Sequence, residues 1–250
     1  MTRARRLVAA LVLLAIASPG LASAGVRPAL PDLVPLQPFG VKIGLADGDP
    51  YGFPPRALRF SVAVANRGAA ALDLVGVPVD PQRARALQCT AFVEARACTS
   101  RTEVGDFVFH PQHAHWHLQA FARYELMPLA ADGTPDASAE PVTVADKVSF
   151  CLMDLERDPQ SQDDSLDADI GVYSTICTGA AQGISRGWMD VYGADLWGQQ
   201  FLLEEIPDGS YAIVVTVNPE GVLHEVDATN NRSFTRISVD EDGTIVRTLG

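Results

Sequence analysis

The stretch Leu58-Arg59-Phe60-Ser61-Val62-Ala63-Val64 carries the plainest sign of the fold in this sequence. Its apolar residues recur at every second position, which is the pattern of a β-strand with one buried face. Asn66-Arg67-Gly68 follows and has the residue types that end a strand in a turn. Comparable patterns predict further strands at 72–77, 106–109, 113–127, 147–153, 201–206, 211–217 and 233–239.

Four segments between these strands lack strand periodicity. We expect loops at 25–56, 78–105, 130–143 and 154–190, and the last is long enough to indicate a functional loop. No segment has a long helical period. The sequence therefore predicts a mainly β protein, an antiparallel β-sandwich-like single domain with long functional loops.

Residues 1–24 have the features of a secretion signal. Three arginines precede the apolar run 7–16, and Ala22-Ser23-Ala24 fits a cleavage site. The apolar run is too short to span a bilayer, although a membrane anchor is the alternative. We therefore expect a secreted or extracytoplasmic domain over 25–250, with no membrane span in the mature chain.

The charge of the chain limits the classes of partner. The net charge is −12, and loss of the three signal arginines would bring the mature chain to −15. Binding of nucleic acid needs a basic face, so this charge argues against a nucleic acid partner. An acidic surface is instead compatible with a cationic substrate.

The chain contains four cysteines. In an exported protein they predict two disulfide bonds, for which three pairings are possible. Cys89 lies close in sequence to Cys98, as Cys151 does to Cys177, so we favour the two local pairings.

Four of the five histidines lie within the segment HPQHAHWH, residues 110–117. On a strand, residues two apart share a face, so His113, His115 and His117 would point the same way. Three neutral imidazoles suit copper or zinc. His110 breaks the alternation, so we expect a structural role for it rather than metal ligation. The alternative for the whole cluster is a solvated polar face of an edge strand.

Together with this cluster, several blocks of the sequence resemble the catalytic domain of lysyl oxidases. The resemblance extends over most of the mature chain, and the blocks have the same order and spacing. They are 30–34, the His-x-His-x-His segment 113–117, 147–152, 177–178, 182–183, 192–195, 217–219, 225–227 and 229–231.

The resemblance implies a copper amine oxidase that makes its own organic cofactor. Copper would bind to His113, His115 and His117, and lysyl tyrosylquinone would form from Lys147 and Tyr192. The implied reaction converts a primary amine, either peptidyl lysine or a small free amine, to an aldehyde. Molecular oxygen is consumed, and ammonia and hydrogen peroxide are released.

The composition agrees with a chemical role for Lys147. The chain has 19 Lys and Arg residues, and only Lys42 and Lys147 are lysines. Arginine stays protonated and does not act as an amine nucleophile, so a lysine among so many arginines indicates a chemical role for that lysine. A base must also accept a proton from the substrate carbon, and Asp195, three residues after Tyr192, is a candidate.

The sequence departs from the animal lysyl oxidases in its cysteines and its length. Gln112, Trp188 and Gly198 stand where half-cystines would be expected. This implies that Cys89 and Cys98 have lost their usual partners, whereas Cys151 and Cys177 keep theirs. We expect no long prodomain before this domain and only a short signal, which is typical of a bacterial member and makes collagen and elastin doubtful substrates.

Two other functions remain open at this point. One is a non-catalytic secreted copper-binding β-sandwich protein that stores or delivers the metal. The other is a zinc hydrolase with three histidine ligands, which would need a nearby Glu or Asp base. The sequence contains no H-E-x-x-H motif of the kind found in zinc proteases.

Overall fold

The structure is a computed structural model that describes residues 29–47, 55–93, 97–112, 114–147, 149–161, 172–173, 176–240 and 246–249. The predicted signal, residues 1–24, and the predicted metal ligand His113 lie outside the described residues.

The described residues form β-strands and one short 3-10 turn, Leu203–Glu205. All the paired strands are antiparallel. The strands are β1 Leu33–Pro35, β2 Phe39–Leu45, β3 Arg56–Asn66, β4 Leu72–Asp80, β5 Arg83–Val93, β6 Ala97–His110, β7 His115–Gln119, β8 Ala122–Pro128, β9 Thr143–Val144, β10 Ser149–Phe150, β11 Glu156–Arg157, β12 Ala181–Ile184, β13 Trp188–Tyr192, β14 Gln200–Leu202, β15 Gly209–Val217, β16 Arg232–Val239 and β17 Val246–Leu249.

The strands form three sheets. In the first, β3 is central: its first half pairs with β2 and β14, and its second half pairs with β1 and β13, which in turn pairs with β11. The second has the order β10-β7-β6-β5-β4-β12, and the third has the order β17-β16-β15-β8-β9. The predicted mainly β, antiparallel single domain is confirmed.

One hydrophobic core joins the three sheets. It contains Phe60 from the first sheet, Phe107 and Leu118 from the second, and Tyr124 and Ile213 from the third. All five side chains are buried, because each lies on the inward face of its strand. Long-range burial of this kind offsets the entropy lost when the chain is ordered.

A chain of aromatic contacts leads from this core towards one edge of the molecule. Phe60 packs on Phe201 at 5.1 Å and on Tyr124 at 5.3 Å between ring centres. Tyr124 then contacts Phe150 at 5.7 Å, and Phe150 contacts Tyr192 at 5.0 Å. The two-residue strand β10 therefore holds Tyr192 against the core through Phe150.

Several boundaries differ from the sequence prediction. The segment 78–105 is not a loop, because β5 and β6 form a long hairpin there. Strand β4 continues through Pro78 to a register shift beside it. The predicted loop 25–56 contains β1 and β2, and the predicted strand 113–127 is divided near Ala120, which has a positive φ of 54°.

Both local disulfide pairings are confirmed. Cys89 and Cys98 join β5 to β6, with their Cα atoms 5.8 Å apart. Cys151 and Cys177 have Cα atoms 5.5 Å apart and connect the residue after β10 to the segment before β12. Cys177 also accepts a backbone hydrogen bond from Trp116 of β7, so this second bond lies directly beside the histidine strand.

Gln182 of β12 provides a further connection beside the same disulfide. Its amide group donates to the carbonyl oxygens of Trp116 and Thr178, at 3.0 and 3.2 Å, and accepts from the Leu152 amide at 3.1 Å. The side chain is buried, where such bonds hold their partners in a defined register.

Within the described residues, no helix has the length and apolar character needed to cross a membrane.

Candidate active site

The hairpin of β6 and β7 brings three histidines to one face. His110 pairs with His115 and Val108 pairs with His117 in the antiparallel ladder. Residues directly opposite each other on such a ladder share a face, as do residues two apart on one strand. His110, His115 and His117 are therefore neighbours, which the strand alternation alone did not indicate for His110.

The predicted run of three alternating histidines on one strand is wrong at its start. Strand β7 begins only at His115, and Ala114 has a positive φ of 55°, so the chain turns before the strand. His113 lies outside the described residues. Its role as a metal ligand stays a prediction.

The nitrogen atoms of His115 and His117 lie close together. Their Nε2 atoms are 2.8 Å apart. Nδ1 of His117 is 3.1 Å from Oγ of Ser149, and the same hydroxyl is 3.2 Å from Nε2 of His110. Ser149 thus fixes the orientation of the His117 ring, and the His110 ring stacks on it at 4.3 Å.

This donor pair fits a metal ion, but it is incomplete by itself. Two nitrogens 2.8 Å apart can both lie about 2 Å from one ion, the usual distance for imidazole ligands. The hydrogen bond between Nδ1 of His117 and Ser149 is of the kind that orients a metal-binding histidine. Among the described residues, no group of three or more His, Cys, Asp or Glu converges on one point. A third ligand would have to come from outside this set, and His113 is the predicted one.

Lys147 and Tyr192 face each other beside the histidines. Lys147 precedes β10, and its Nζ lies 5.2 Å from the centre of the Tyr192 ring and 5.0 Å from that of Phe150. Nζ donates a hydrogen bond of 3.1 Å to the carbonyl oxygen of Trp197. The two residues are 45 positions apart in the chain, and the packing of β10 against β13 brings them together. They are not bonded to each other.

Tyr192 is held from three sides. Its backbone pairs with Val62 of β3, and Phe150 packs edge-on against its ring. The hydroxyl contacts a carboxylate oxygen of Asp190 and lies 3.0 Å from the carbonyl oxygen of Cys151. Burial, with the nearby Asp190, raises the pKa of the Tyr192 phenol well above its ordinary value.

Burial also changes the two other titratable groups of this cluster. It lowers the pKa of Lys147 from 10.5 to about 8, and the charges of Asp190 and Asp47 act in the opposite direction. It raises the pKa of Asp190 to about 8. A neutral amine is therefore available at Lys147 near pH 8, and only the neutral form is a nucleophile.

A buried ion pair positions the loop that covers Lys147. Arg59 of β3 pairs with Asp47 at 3.0 Å and donates to the carbonyl oxygens of Ala194 and Leu196, at 2.6 and 2.9 Å. Asp47 in turn accepts a hydrogen bond of 2.9 Å from the Gly198 amide. These bonds fix segment 194–198, and hence the Trp197 carbonyl that accepts from Lys147.

Together these residues enclose one pocket with a volume of about 270 Å³. Its mouth is apolar, because Leu155, Leu196 and Trp197 line it and are 46%, 48% and 55% exposed. The lining residues are His115, His117, Lys147, Cys151, Met153, Leu155, Asp190, Val191, Tyr192, Leu196 and Trp197. Four of the five predicted site residues therefore meet at one cavity.

The candidate base Asp195 does not lie in this pocket. Its side chain is 86% exposed and pairs with Lys42 at 2.6 Å. The carboxylate in the pocket is Asp190, which the sequence analysis missed. It lies two residues before Tyr192 on β13, so strand periodicity could have placed it on the same face.

The site combines a pair of imidazoles that can bind a metal ion with a lysine and a tyrosine, all around one cavity of an antiparallel β domain. Comparison with known proteins shows which family has this chain as a member. The family model for lysyl oxidase matches residues 82–248, and this chain belongs to the lysyl oxidase family.

Its curated relatives include proteins named protein-lysine 6-oxidase and lysyl oxidase homolog. Those named protein-lysine 6-oxidase from Homo sapiens and Sus scrofa are each 30% identical over 154 residues, or 60% of this chain. The match covers 31% of the human protein and 52% of the pig protein. Lysyl oxidase homolog 2 of Gallus gallus is 32% identical over 126 residues, which are 50% of this chain and 14% of that protein.

Gly198 offers a direct test of how the covering loop sets the position of Lys147. Gly198 has a φ of +74°, and a Cβ there would lie 2.7 Å from the Cβ of Lys147. We expect Gly198→Ala to cost roughly 1–3 kcal/mol of stability through backbone strain and the clash. Thermal unfolding should show this as a fall in Tm of roughly 2–12 °C. Gly193→Ala is the matched control, because a Cβ there meets no atom within 4 Å. Equal Tm values for the two variants would contradict the contact.

The ionisation of Lys147 gives a second test. Competitive labelling with an amine-reactive reagent, followed by peptide mapping, should show Lys147 reactivity that rises with pH with a midpoint near pH 8, since burial lowers its pKa to about 8. Below that pH the amine is protonated and does not react. Lys42 is the one other lysine and serves as the internal reference for the reagent. A midpoint above pH 10 would show that the Lys147 amine is solvated and does not lie in a buried pocket.

Proposed function

We propose that this chain is a copper-dependent amine oxidase, which converts primary amines to aldehydes through a lysyl tyrosylquinone cofactor made from its own residues. The observation that carries the proposal is the meeting of Lys147 and Tyr192 in one pocket beside the close nitrogen atoms of His115 and His117. Membership of a family whose relatives are named protein-lysine 6-oxidase supports it.

Each site residue has a role in this proposal. His115 and His117, with His113 as the third ligand, hold copper. Tyr192 supplies the ring of the cofactor, and the amine of Lys147 adds to that ring. Formation of the cofactor from one tyrosine and one lysine consumes two molecules of oxygen and releases one of hydrogen peroxide and one of water. Once present, copper and the quinone supply the electron transfer from the substrate amine to oxygen.

The reaction balances with oxygen and water as co-substrates. A primary amine, RCH₂NH₂, reacts with O₂ and H₂O to give RCHO, NH₃ and H₂O₂. The amine carbon loses two electrons, and oxygen gains them to form peroxide. The protein must bind the amine in the pocket, keep bulk water from the cofactor and accept a proton from the substrate carbon.

The pocket and the overall charge favour a cationic amine as the substrate. The mature chain is acidic, which would attract a protonated amine from solution. Within the mouth, the exposed apolar side chains of Leu155, Leu196 and Trp197 can pack on the methylene groups of an alkyl amine. Peptidyl lysine and a small free amine both present such a group. A basic nucleic-acid-binding face is not expected.

An oxidising compartment is part of the proposal. Two disulfide bonds join all four cysteines, and such bonds persist in exported proteins. We therefore propose that the chain is secreted or otherwise extracytoplasmic, and that its catalytic domain occupies 25–250 after removal of a signal at 1–24.

The test is copper loading in air followed by phenylhydrazine, which gives a coloured adduct with a quinone. We expect wild type to bind copper, form the adduct and oxidise a primary amine. Lys147→Arg and Tyr192→Phe should bind copper normally and lose both adduct and activity, because the nucleophile or the phenol is gone. His115→Ala should lose copper as well.

Lys42→Arg is the matched control for Lys147→Arg. Lys42 is the other lysine of the chain, lies at the surface and pairs with Asp195. This control should keep the adduct and the activity. Copper binding without any adduct in wild type would favour the non-catalytic copper-binding protein. Zinc-dependent hydrolysis without amine oxidation would favour the hydrolase. Retained amine oxidation in Lys147→Arg would exclude the proposed cofactor.

A further inference from the structure

Asp190 is a completely buried carboxyl group in the pocket, and neither metal binding nor the lysine–tyrosine link accounts for it. Its exposure is 0%, and it lines the pocket beside Lys147 and Tyr192. One oxygen, Oδ2, contacts the Tyr192 hydroxyl, and the other, Oδ1, has no hydrogen-bond partner of ordinary geometry among the described residues. Burial of a carboxylate is costly, so such a group in a pocket is a candidate for chemistry.

The Tyr192 hydroxyl is in direct hydrogen-bonding contact with Asp190. The phenol has one hydrogen but lies within hydrogen-bonding distance of two acceptors, the Asp190 carboxylate and the carbonyl oxygen of Cys151. When Asp190 is ionised, the phenol donates to it, so the phenolic proton points at Oδ2. When Asp190 is protonated, its O–H donates to the phenolic oxygen and the phenolic O–H donates to Cys151. The ionised carboxylate is therefore the form that can accept the phenolic proton.

The surroundings make Asp190 a stronger proton acceptor than a surface aspartate. Burial raises its pKa to about 8, although the Tyr192 hydroxyl, the Met153 amide and the charge of Lys147 act against this and Asp154 adds to it. A base is most effective when its pKa lies near the working pH. Lys147, whose pKa burial lowers to about 8, loses its proton over the same range.

The other carboxylates near the pocket are already engaged. Asp154 accepts hydrogen bonds from the Ser185 amide and hydroxyl and from the Tyr173 amide. Asp47 pairs with Arg59, and Asp195 is at the surface with Lys42. Within the part of the chain that the structure describes, Asp190 is the carboxylate that contacts the tyrosine.

We propose that Asp190 is the catalytic base that removes the phenolic proton of Tyr192 while this ring is oxidised to the cofactor. The O–H bond of Tyr192 breaks, its electron pair stays on the phenolic oxygen, and the proton moves to Oδ2 of Asp190. Oxygen, which the proposed function already consumes, is the oxidant of the ring. This inference rests on the proposed function, because it assigns a step in the formation of the same cofactor.

The test is Asp190→Asn, which keeps the size and one acceptor oxygen but does not take up a proton. After copper loading in air, the covalently linked peptide that contains Lys147 and Tyr192 is followed by mass spectrometry. We expect it to form at least about 100-fold more slowly than in wild type, the usual effect of losing a general base. Copper binding and Tm should not fall, because the variant removes a carboxyl group whose burial opposes ionisation.

Asp195→Asn is the matched control. It makes the same change three residues after Tyr192, at an exposed position outside the pocket. Its linked peptide should form within about twofold of the wild-type rate. A second variant, Asp190→Ala, covers the case in which Asp190→Asn does not fold. Added formate should enter the space left by the carboxyl group and increase the rate in proportion to its concentration, which a purely structural role would not produce.

The outcomes separate this inference from the proposed function. A wild-type rate in Asp190→Asn, or no acceleration of Asp190→Ala by formate, would overturn the role of Asp190 and leave the oxidase intact. Failure of wild type to form the linked peptide would overturn both.

Discussion

The pairing of β13 with β3 is the constraint on which the site depends. It holds Tyr192 opposite Val62 at the centre of the first sheet, so the ring and hydroxyl are directed to buried partners. Because Asp190 lies two residues earlier on the same strand, it contacts that hydroxyl. The same strand β3 carries Arg59, which holds the loop over Lys147. One central strand thus positions the tyrosine, its carboxylate and the cover of the lysine.

The second sheet supplies the other half of the pocket. Strand β7 carries His115 and His117, and the short β10 beside it carries Ser149 and leads from Lys147. The Cys151–Cys177 disulfide and the Gln182 side chain then attach the chain after β10 to β7 and β12. Such covalent and buried polar connections resist local opening. The cavity is therefore formed between two sheets that a common core holds together.

Much of the fold could be predicted from period-two patterns, and the failures have physical reasons. Strand β5 was missed because its buried positions include Ala84 and Ala86, whose small side chains form only a weak apolar pattern beside Arg83 and Arg85. The division before β7 was missed because Ala114 has a positive φ, which a residue other than glycine rarely adopts. The position of a turn that contains such a residue is difficult to predict from a single sequence.

The residues of the candidate site were also only partly predictable from the sequence. Local spacing found the histidine cluster, but the pairing of Lys147 with Tyr192 came from the resemblance, since a contact across 45 positions has no local pattern. Cross-strand register placed His110 opposite His115, and this register depends on where the turn lies. The sequence analysis names only Asp195 as a candidate base, although the period of β13 puts Asp190 on the face of Tyr192. Burial and hydrogen bonding, which only the folded chain reveals, decide between the two carboxylates.

In the proposed enzyme, Lys147 and Tyr192 become one covalent unit beside copper. The decisive measurement is a crystal structure of protein loaded with copper in air, with diffraction recorded at the copper absorption edge. We expect an anomalous peak about 2 Å from Nε2 of both His115 and His117. We also expect continuous electron density from Nζ of Lys147 to the Tyr192 ring. Copper bound elsewhere, or Nζ still hydrogen-bonded to the Trp197 carbonyl with no link to the ring, would contradict it.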